Sequence, residues 1–185
     1  MKISIKTRIG THYEEDWDYL LDIYEKYPFH ELIIHPRIQT DMYRGVPRLG
    51  AYEKAVNRLK MPLCYNGNLF SVADYKRITE RFPDTDCFMY GRGLITNPGL
   101  VTEIRDGTRQ DKKTLREFHD CLFEEYQELL SGERNVLFRM KELWSYMAVN
   151  VTNYGKYAKK IKKSKQLSEY ISVVDSLFAE QQLID

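Results

Sequence analysis

Pro62-Leu63-Cys64-Tyr65-Asn66-Gly67-Asn68, continued by Ser71 to Arg81, passes from an apolar run through a glycine turn into a helical repeat. A short apolar run bounded by proline and an Asn-Gly turn reads as a strand buried in a sheet. Ser71 is a suitable N-cap for the helix behind it. The same strand–turn–helix unit recurs on both sides. Upstream, Ile3 to Lys6 is a short strand, and Trp17, Leu20, Leu21 and Tyr24 recur at i, i+3, i+4 and i+7 on one face of a helix. Leu32-Ile33-Ile34 is a continuous apolar run of the kind buried in a parallel sheet. Leu49 to Leu59 follows as a helix with Tyr52, Ala55, Val56 and Leu59 on one side. Downstream, Cys87 to Tyr90 is a fourth strand, and Asn97-Pro98 opens a short helix.

Four βα units in about a hundred residues predict an α/β fold with parallel strands and right-handed crossovers. An open doubly wound sheet and half of an eight-stranded TIM barrel both satisfy that pattern. A dinucleotide-binding fold places GxGxxG after its first strand, and Gly10 stands alone there. Glycine turns instead follow the third and fourth strands, as Asn66-Gly67-Asn68 and Gly91-Arg92-Gly93, where a barrel holds a phosphate.

Beyond Gly107 the strand pattern stops. Helices are predicted over Lys113 to Leu130, Val136 to Val149, Asn153 to Lys163 and Leu167 to Leu183. The expected organisation is a partial barrel over 1–106, a linker, and a small all-helical domain over 112–185.

Of the 185 residues, 43% are apolar, which excludes disorder of the whole chain. No apolar run is long enough to span a membrane, and Met1 to Lys6 is no signal sequence, so a cytoplasmic location is expected. The three cysteines, Cys64, Cys87 and Cys121, form no CxxC pair, so neither a metal site nor a disulfide scaffold is expected. The formal net charge of +1 conceals an uneven distribution. Gly132 to Lys165 holds nine Lys or Arg against two Glu, while the residues after Lys165 hold four acids and no Lys or Arg.

Lys6, His35, Asn66, Asn68 and Arg92 each fall at or just past a predicted strand end. In a barrel those ends open on one face, the active one. A lysine, a histidine, two amides and an arginine suit an electron-rich, phosphate-bearing ligand, the arginine and backbone N–H groups holding the phosphate. The bland alternative is a set of solvated loop residues and turn glycines. In the basic block, Lys156, Lys159, Lys160 and Lys163 share one helical face, opposite Tyr154, Tyr157, Ala158 and Ile161. That stripe can track a phosphate backbone or simply solvate a packed helix. Arg134, Arg139 and Lys141 extend it, or cap and solvate their own helix. His12, His30 and His119 have no partner at catalytic or metal spacing and are assigned structural or surface roles.

Lys6-Thr7-Arg8-Ile9-Gly10 resembles the K-x-R-x-G segment of tRNA-dihydrouridine synthases. His35-Pro36-Arg37 with Tyr43 and Gly45 resembles their H-x-R…Y-x-G segment, Asn66-Gly67-Asn68 their N-G-D, and Gly91-Arg92-Gly93 their G-R-G. The resemblance runs from about Lys2 to Lys165. It implies an FMN-binding TIM barrel followed by a helical tRNA-binding domain, and reduction of tRNA uridine to dihydrouridine with NADPH as reductant. Carried over, Lys6, His35, Asn66, Gly67, Asn68, Gly91 and Arg92 bind FMN. Arg37 orients substrate base or flavin, and Lys156, Lys159, Lys160 and Lys163 meet tRNA. Asn68 replaces the family's aspartate, which implies weaker flavin binding. The family's first four strands and its cysteine acid have no counterpart, so no catalytic residue is assigned. The chain alone is expected to be inactive and to self-associate through open barrel edges. The alternative is a non-enzymatic RNA-binding or interaction module derived from the family; another FMN- or phosphate-binding barrel fits the strand ends but not the basic helices.

Overall fold

The computed structural model describes residues 1–184. Strands β1 (Ser4–Arg8), β2 (Glu31–His35), β3 (Leu63–Tyr65) and β4 (Cys87–Phe88) form one sheet in the order β1-β2-β3-β4, every neighbour parallel. Helices α1 (Asp16–Tyr24), α2 (Leu49–Arg58) and α3 (Val72–Arg81) follow the first three strands. The fold is thus a mixed α/β one built on a four-stranded parallel sheet.

Alternation along each strand sorts the two faces. Leu32, Ile34 and Tyr65 point to the helices and share a core with Trp17, Leu21, Ala51, Tyr52, Ala55 and Ile78. Trp17 secures α1 to α2 by donating its indole N–H to the Ala51 carbonyl at 2.8 Å. The opposite face carries Lys6, Ile33, Cys64 and Cys87 side by side in register, with Arg8 beside His35 one step further along. That face was expected to be apolar at its inner ends. Ile33 apart, its residues are ionisable or thiol-bearing, because the helix-facing side alone supplies the apolar burial.

Strand lengths differ from expectation in one way that matters. β1 runs on to Arg8, since its pairing with β2 continues to His35. Lys6 therefore lies in the middle of the strand, and Arg8 holds the strand-end position. β4 is shorter than Cys87 to Tyr90, ending at Phe88.

Packing divides the chain into two compact units, Met1–Leu69 with Ala73–Gly91, and Phe70–Val72 with the residues from Arg92 onward. The division precedes Arg92, whereas hydropathy keeps residues up to 106 with the strands. In the second unit, α4 (Arg92–Thr96), which no sequence signal foretold, and α5 (Leu100–Asp106) lead into four longer helices. Gly107, in the left-handed region with φ +73°, ends α5. The Asp111 carboxylate then caps α6 (Lys112–Leu129) by accepting from the Thr114 N–H at 2.7 Å. α7 (Glu133–Met147), α8 (Tyr154–Lys163) and α9 (Leu167–Glu180) complete the unit. Its core joins Leu115, Met140, Trp144, Met147, Tyr157, Ile161, Tyr170 and Leu177. The predicted last helix ends three residues early, and Leu183 instead bridges Val151 in an antiparallel contact.

Among the described residues no helix is long and apolar enough to cross a membrane.

Candidate functional site at the strand ends and on a basic helix

The C-terminal ends of β1 and β2 carry Arg8 and His35 in register, and Asn66 follows β3, its N–H bonded to the Ile34 carbonyl at 2.9 Å. Tyr43 lies against both: its ring centroid is 6.2 Å from that of His35 and 5.7 Å from the Arg8 guanidinium carbon. His35 is buried and Tyr43 exposed. Imidazole, phenol ring and guanidinium thus form one layered group at the strand ends.

Two arginines fix the loop that delivers Tyr43. Arg8 donates to the Ile38 carbonyl at 2.9 Å and the Met42 carbonyl at 3.1 Å. Arg37 is fully buried and donates to the carbonyls of Arg44 at 2.5 Å and Gly45 at 2.7 Å. Gly45, with φ +65°, takes a conformation few other residues accept. Arg37 was read as orienting substrate or flavin; what its guanidinium touches is the loop backbone.

Lys6 lies one step further down the same face, and burial, then the nearby Arg8 charge, lower its pKa. A lysine so placed releases its proton more readily than a free one. An open cleft of 580 Å³ along β1 is lined by Lys6, Arg8, Gly10, Asp16 and Gln39.

Asn66 donates its side-chain N–H to the Met89 carbonyl at 2.7 Å, tying the β3 turn to the end of β4. Gly67 is buried, and a Cβ there would meet the Tyr65 hydroxyl at 2.9 Å and the Pro47 ring at 3.1 Å. Packing within the chain therefore demands this glycine. Gly91 is different: it is exposed, and a Cβ there would meet nothing within 4 Å. Its lack of a side chain leaves the backbone N–H groups open to a ligand. Arg92, in the second unit together with Phe70, starts α4 with its guanidinium 5.4 Å from the Phe70 ring centre.

On α8, Tyr157 and Ile161 are buried while Lys156, Lys159, Lys160 and Lys163 are exposed, as the helical pattern predicted. The ammonium groups of Lys156 and Lys160 flank the Tyr157 ring at 5.5 Å each. Among the described residues none of the four makes an ion pair, which leaves their charge available. The three candidates on α7 divide. Arg139 pairs with Glu142 at 2.6 Å, and Lys141 caps the end of α8 by donating to the Ser164 carbonyl. Arg134 stacks at 5.5 Å on the exposed Phe138 ring, beside a cleft of 680 Å³ that Lys165 also lines.

His119, placed by sequence among structural or surface residues, is buried. Its Nδ1 meets Asp120 at 2.8 Å and its Nε2 the Tyr170 hydroxyl at 2.6 Å, while the Trp144 N–H donates to that hydroxyl at 2.7 Å. Tyr170, accepting from Trp144, has its own proton for Nε2, which puts the histidine proton on Nδ1, facing Asp120. Burial lowers the pKa of His119, keeping the ring neutral. This network is structural. Tyr43 has no role assigned to it from sequence, although its place in the H-x-R…Y-x-G spacing is the signal that marks it.

Comparisons with known proteins bear on the family. A family model described as dihydrouridine synthase matches residues 1–183. The tRNA-dihydrouridine(16) synthase of Shewanella oneidensis is 25% identical over 147 residues, covering 78% of this chain and 46% of that protein. Those of Aquipseudomonas alcaligenes and Pseudomonas syringae pv. tomato are 24% and 28% identical over 101 and 74 residues, covering 53% and 40% of this chain and 32% and 23% of theirs. The chain thus spans less than half the length of these relatives. With the model covering nearly all of it, the chain belongs to the dihydrouridine synthase family.

Proposed function

We propose that this chain supplies the flavin-phosphate half of a tRNA-dihydrouridine synthase site together with a tRNA-binding helix. The observation that carries the proposal is the convergence of Arg8, His35, Tyr43 and Asn66 at one end of a parallel sheet, with Lys6 one step down the same face. A sheet whose strands neighbour one another in chain order supports half of a (β/α)8 barrel over a doubly wound sheet, whose strand order reverses. The units 1–106 and 112–185 are proposed as the barrel part and the tRNA-binding domain.

The residues suit FMN. Lys6 and His35 would meet the ring, Asn66, Gly67 and Asn68 the ribityl chain, and Gly91 and Arg92 the phosphate. The bare backbone at Gly91 is the clearest support, since nothing inside the chain requires glycine there. When bound and reduced by NADPH, FMN supplies the hydride that saturates the uracil ring. Lys6 would set a positive charge against the negative charge of the reduced ring. Arg8 and Arg37 hold the loop so that Tyr43 covers His35. The α8 lysines attract the tRNA backbone. The relatives are named for uridine 16, which makes that position the first to assay.

Among the described residues no cysteine stands at the C-terminal ends of the strands, Cys87 being the first residue of β4. Cys64 is buried in mid-sheet with its thiol pKa pushed up by burial, and Cys121 lies on α6. This observation favours little or no uridine reduction by the chain alone, and keeps a second reading in play, an RNA-binding module that holds no flavin. β1 and β4 each lack a partner on one side among the described residues, and unpaired edges favour self-association. Light scattering at tens of micromolar tests that point, and a stable monomer would count against it.

The deciding experiment adds FMN to the full chain and follows flavin fluorescence. Quenching is expected, weakened by Lys6→Ala and by Arg92→Ala. No binding at high micromolar FMN sinks the flavin proposal and leaves the RNA-binding reading.

A further inference from the structure

Glu31, Cys64 and Cys87 are far apart in sequence, and their carboxylate and thiol ligand atoms all lie within 4.8 Å of one another. The register explains the meeting. Cys64 and Cys87 are direct partners across β3 and β4, and Glu31 lies two residues before Ile33, the β2 partner of Cys64. Two-residue spacing returns Glu31 to the same face of the sheet. That face is the one turned away from α1, α2 and α3, so the group is not part of the helix-packed core.

Cysteine in a strand is often only a small apolar residue. That account covers Cys64 alone, but not a carboxylate held against two thiols with no cation bonded to it. Lys6 stands in the same register row as Cys64, two strands away across Ile33, close enough for its charge to act on that thiol. From this placement we infer that Glu31, Cys64 and Cys87 form a binding site for a thiophilic divalent cation of the zinc type, with a water in the fourth position.

The chemistry and the geometry agree. Two soft sulfur ligands and one oxygen select zinc-like ions over magnesium or calcium, which take oxygen alone. Tetrahedral zinc with bonds of about 2.3 Å to sulfur and 2.0–2.2 Å to oxygen brings its ligands to about 3.5 Å of each other. Reaching that from a separation of at most 4.8 Å takes movements of about 1 Å, within the reach of side-chain rotation. On ligation the two thiols give their protons to solvent. The two thiolates and the carboxylate then carry three negative charges against two on the ion, and the Lys6 ammonium offsets the remaining one. None of its three ligands belongs to the group proposed to hold FMN, only the charge of Lys6 being common to both, so metal binding is read on its own without flavin.

The test titrates Co²⁺ into the full chain, kept reduced by a phosphine. One Co²⁺ per chain is expected, with a thiolate-to-metal charge-transfer absorption that Zn²⁺ displaces. Cys64→Ser and Cys87→Ser should each remove that absorption. Glu31→Gln should weaken Co²⁺ binding at least tenfold, since even an outer-shell partner is worth about 10–100-fold. Cys121→Ser, on the other unit, should change nothing. Glu31→Gln adds no bulk to the sheet, so it remains informative if a cysteine variant fails to fold. Absence of the absorption in the folded, reduced chain, its survival in the Cys64→Ser or Cys87→Ser protein, or unaltered affinity in Glu31→Gln would overturn the site.

Discussion

Replacing Lys156, Lys159, Lys160 and Lys163 together by glutamine tests the RNA proposal where the structure is most quantitative. All four are exposed and, among the described residues, unpaired by any acid. Each phosphate neutralised on a duplex contributes about 0.9 to the slope of log affinity against log salt. Four contacts therefore set a ceiling of about 3.6 on the loss of slope. Between 50 and 200 mM salt the logarithm of concentration changes by about 0.6, so the wild-type chain should lose up to about two decades of affinity that the variant does not. Arg139→Gln serves as the control, because Glu142 already engages that guanidinium, and it should leave the slope almost unchanged. Glutamine has nearly the helix propensity of lysine, and the helix-dipole contribution lost at Lys160 and Lys163 is about 0.3–1 kcal/mol each, so α8 should survive. The assay is fluorescence anisotropy of labelled tRNA across a salt series, with circular dichroism to confirm helix content. Parallel lines for wild type and the fourfold variant would show that the stripe only solvates its helix, and would refute the reasoning.

Four further outcomes rest on the packing. Tyr170→Phe removes the hydroxyl shared by Trp144 and His119, leaving two buried polar atoms unsatisfied; a loss of about 1–3 kcal/mol in urea-induced unfolding is expected. His119 has a folded pKa below its unfolded value of about 6.5, so its contribution is complete above that pH and is lost as pH falls through the window beneath it. Stability should therefore decline from pH 7 toward pH 5, with part of that slope absent in His119→Gln. Gly67→Ala forces its new methyl against the buried Tyr65 ring and should cost about 1–3 kcal/mol. Gly91→Ala should stay within about 0.5 kcal/mol of wild type in melting experiments yet bind FMN less well, and equal FMN affinity would count against a phosphate at that backbone.

Most of the fold was legible because strands and helices here follow their simplest periods. The apolar faces of α1, α2 and α8 were placed from spacing alone, and the buried residues Trp17, Tyr52 and Ile161 lie where that spacing put them. What was not legible depends on partners. β1 reads as ending at Lys6 because Thr7 and Arg8 are polar, yet β2 has backbone groups for both and extends the strand. Likewise α4 is five residues long, too short for an apolar repeat, and it packs against α7.

The strand-end site shows the same division more sharply. The motif residues could be named from sequence, but not what each one touches. Two of the three arginines in those motifs, Arg8 and Arg37, donate to backbone carbonyls of residues 38–45. A guanidinium can satisfy several carbonyls at once because its donors are fixed in a plane, so arginine is suited to holding an irregular loop that has no ladder of its own. Lysine, with a single flexible ammonium, could not hold Arg44 and Gly45 together in this way. Arg37→Lys should therefore loosen the loop that carries Tyr43 while preserving charge. A residue that acts by positioning should then lose ligand affinity through the loop, with faster proteolysis between residues 38 and 45 as the accompanying sign. Weakened flavin binding with no change in that cleavage would instead assign Arg37 a direct contact, the role the motif first suggested.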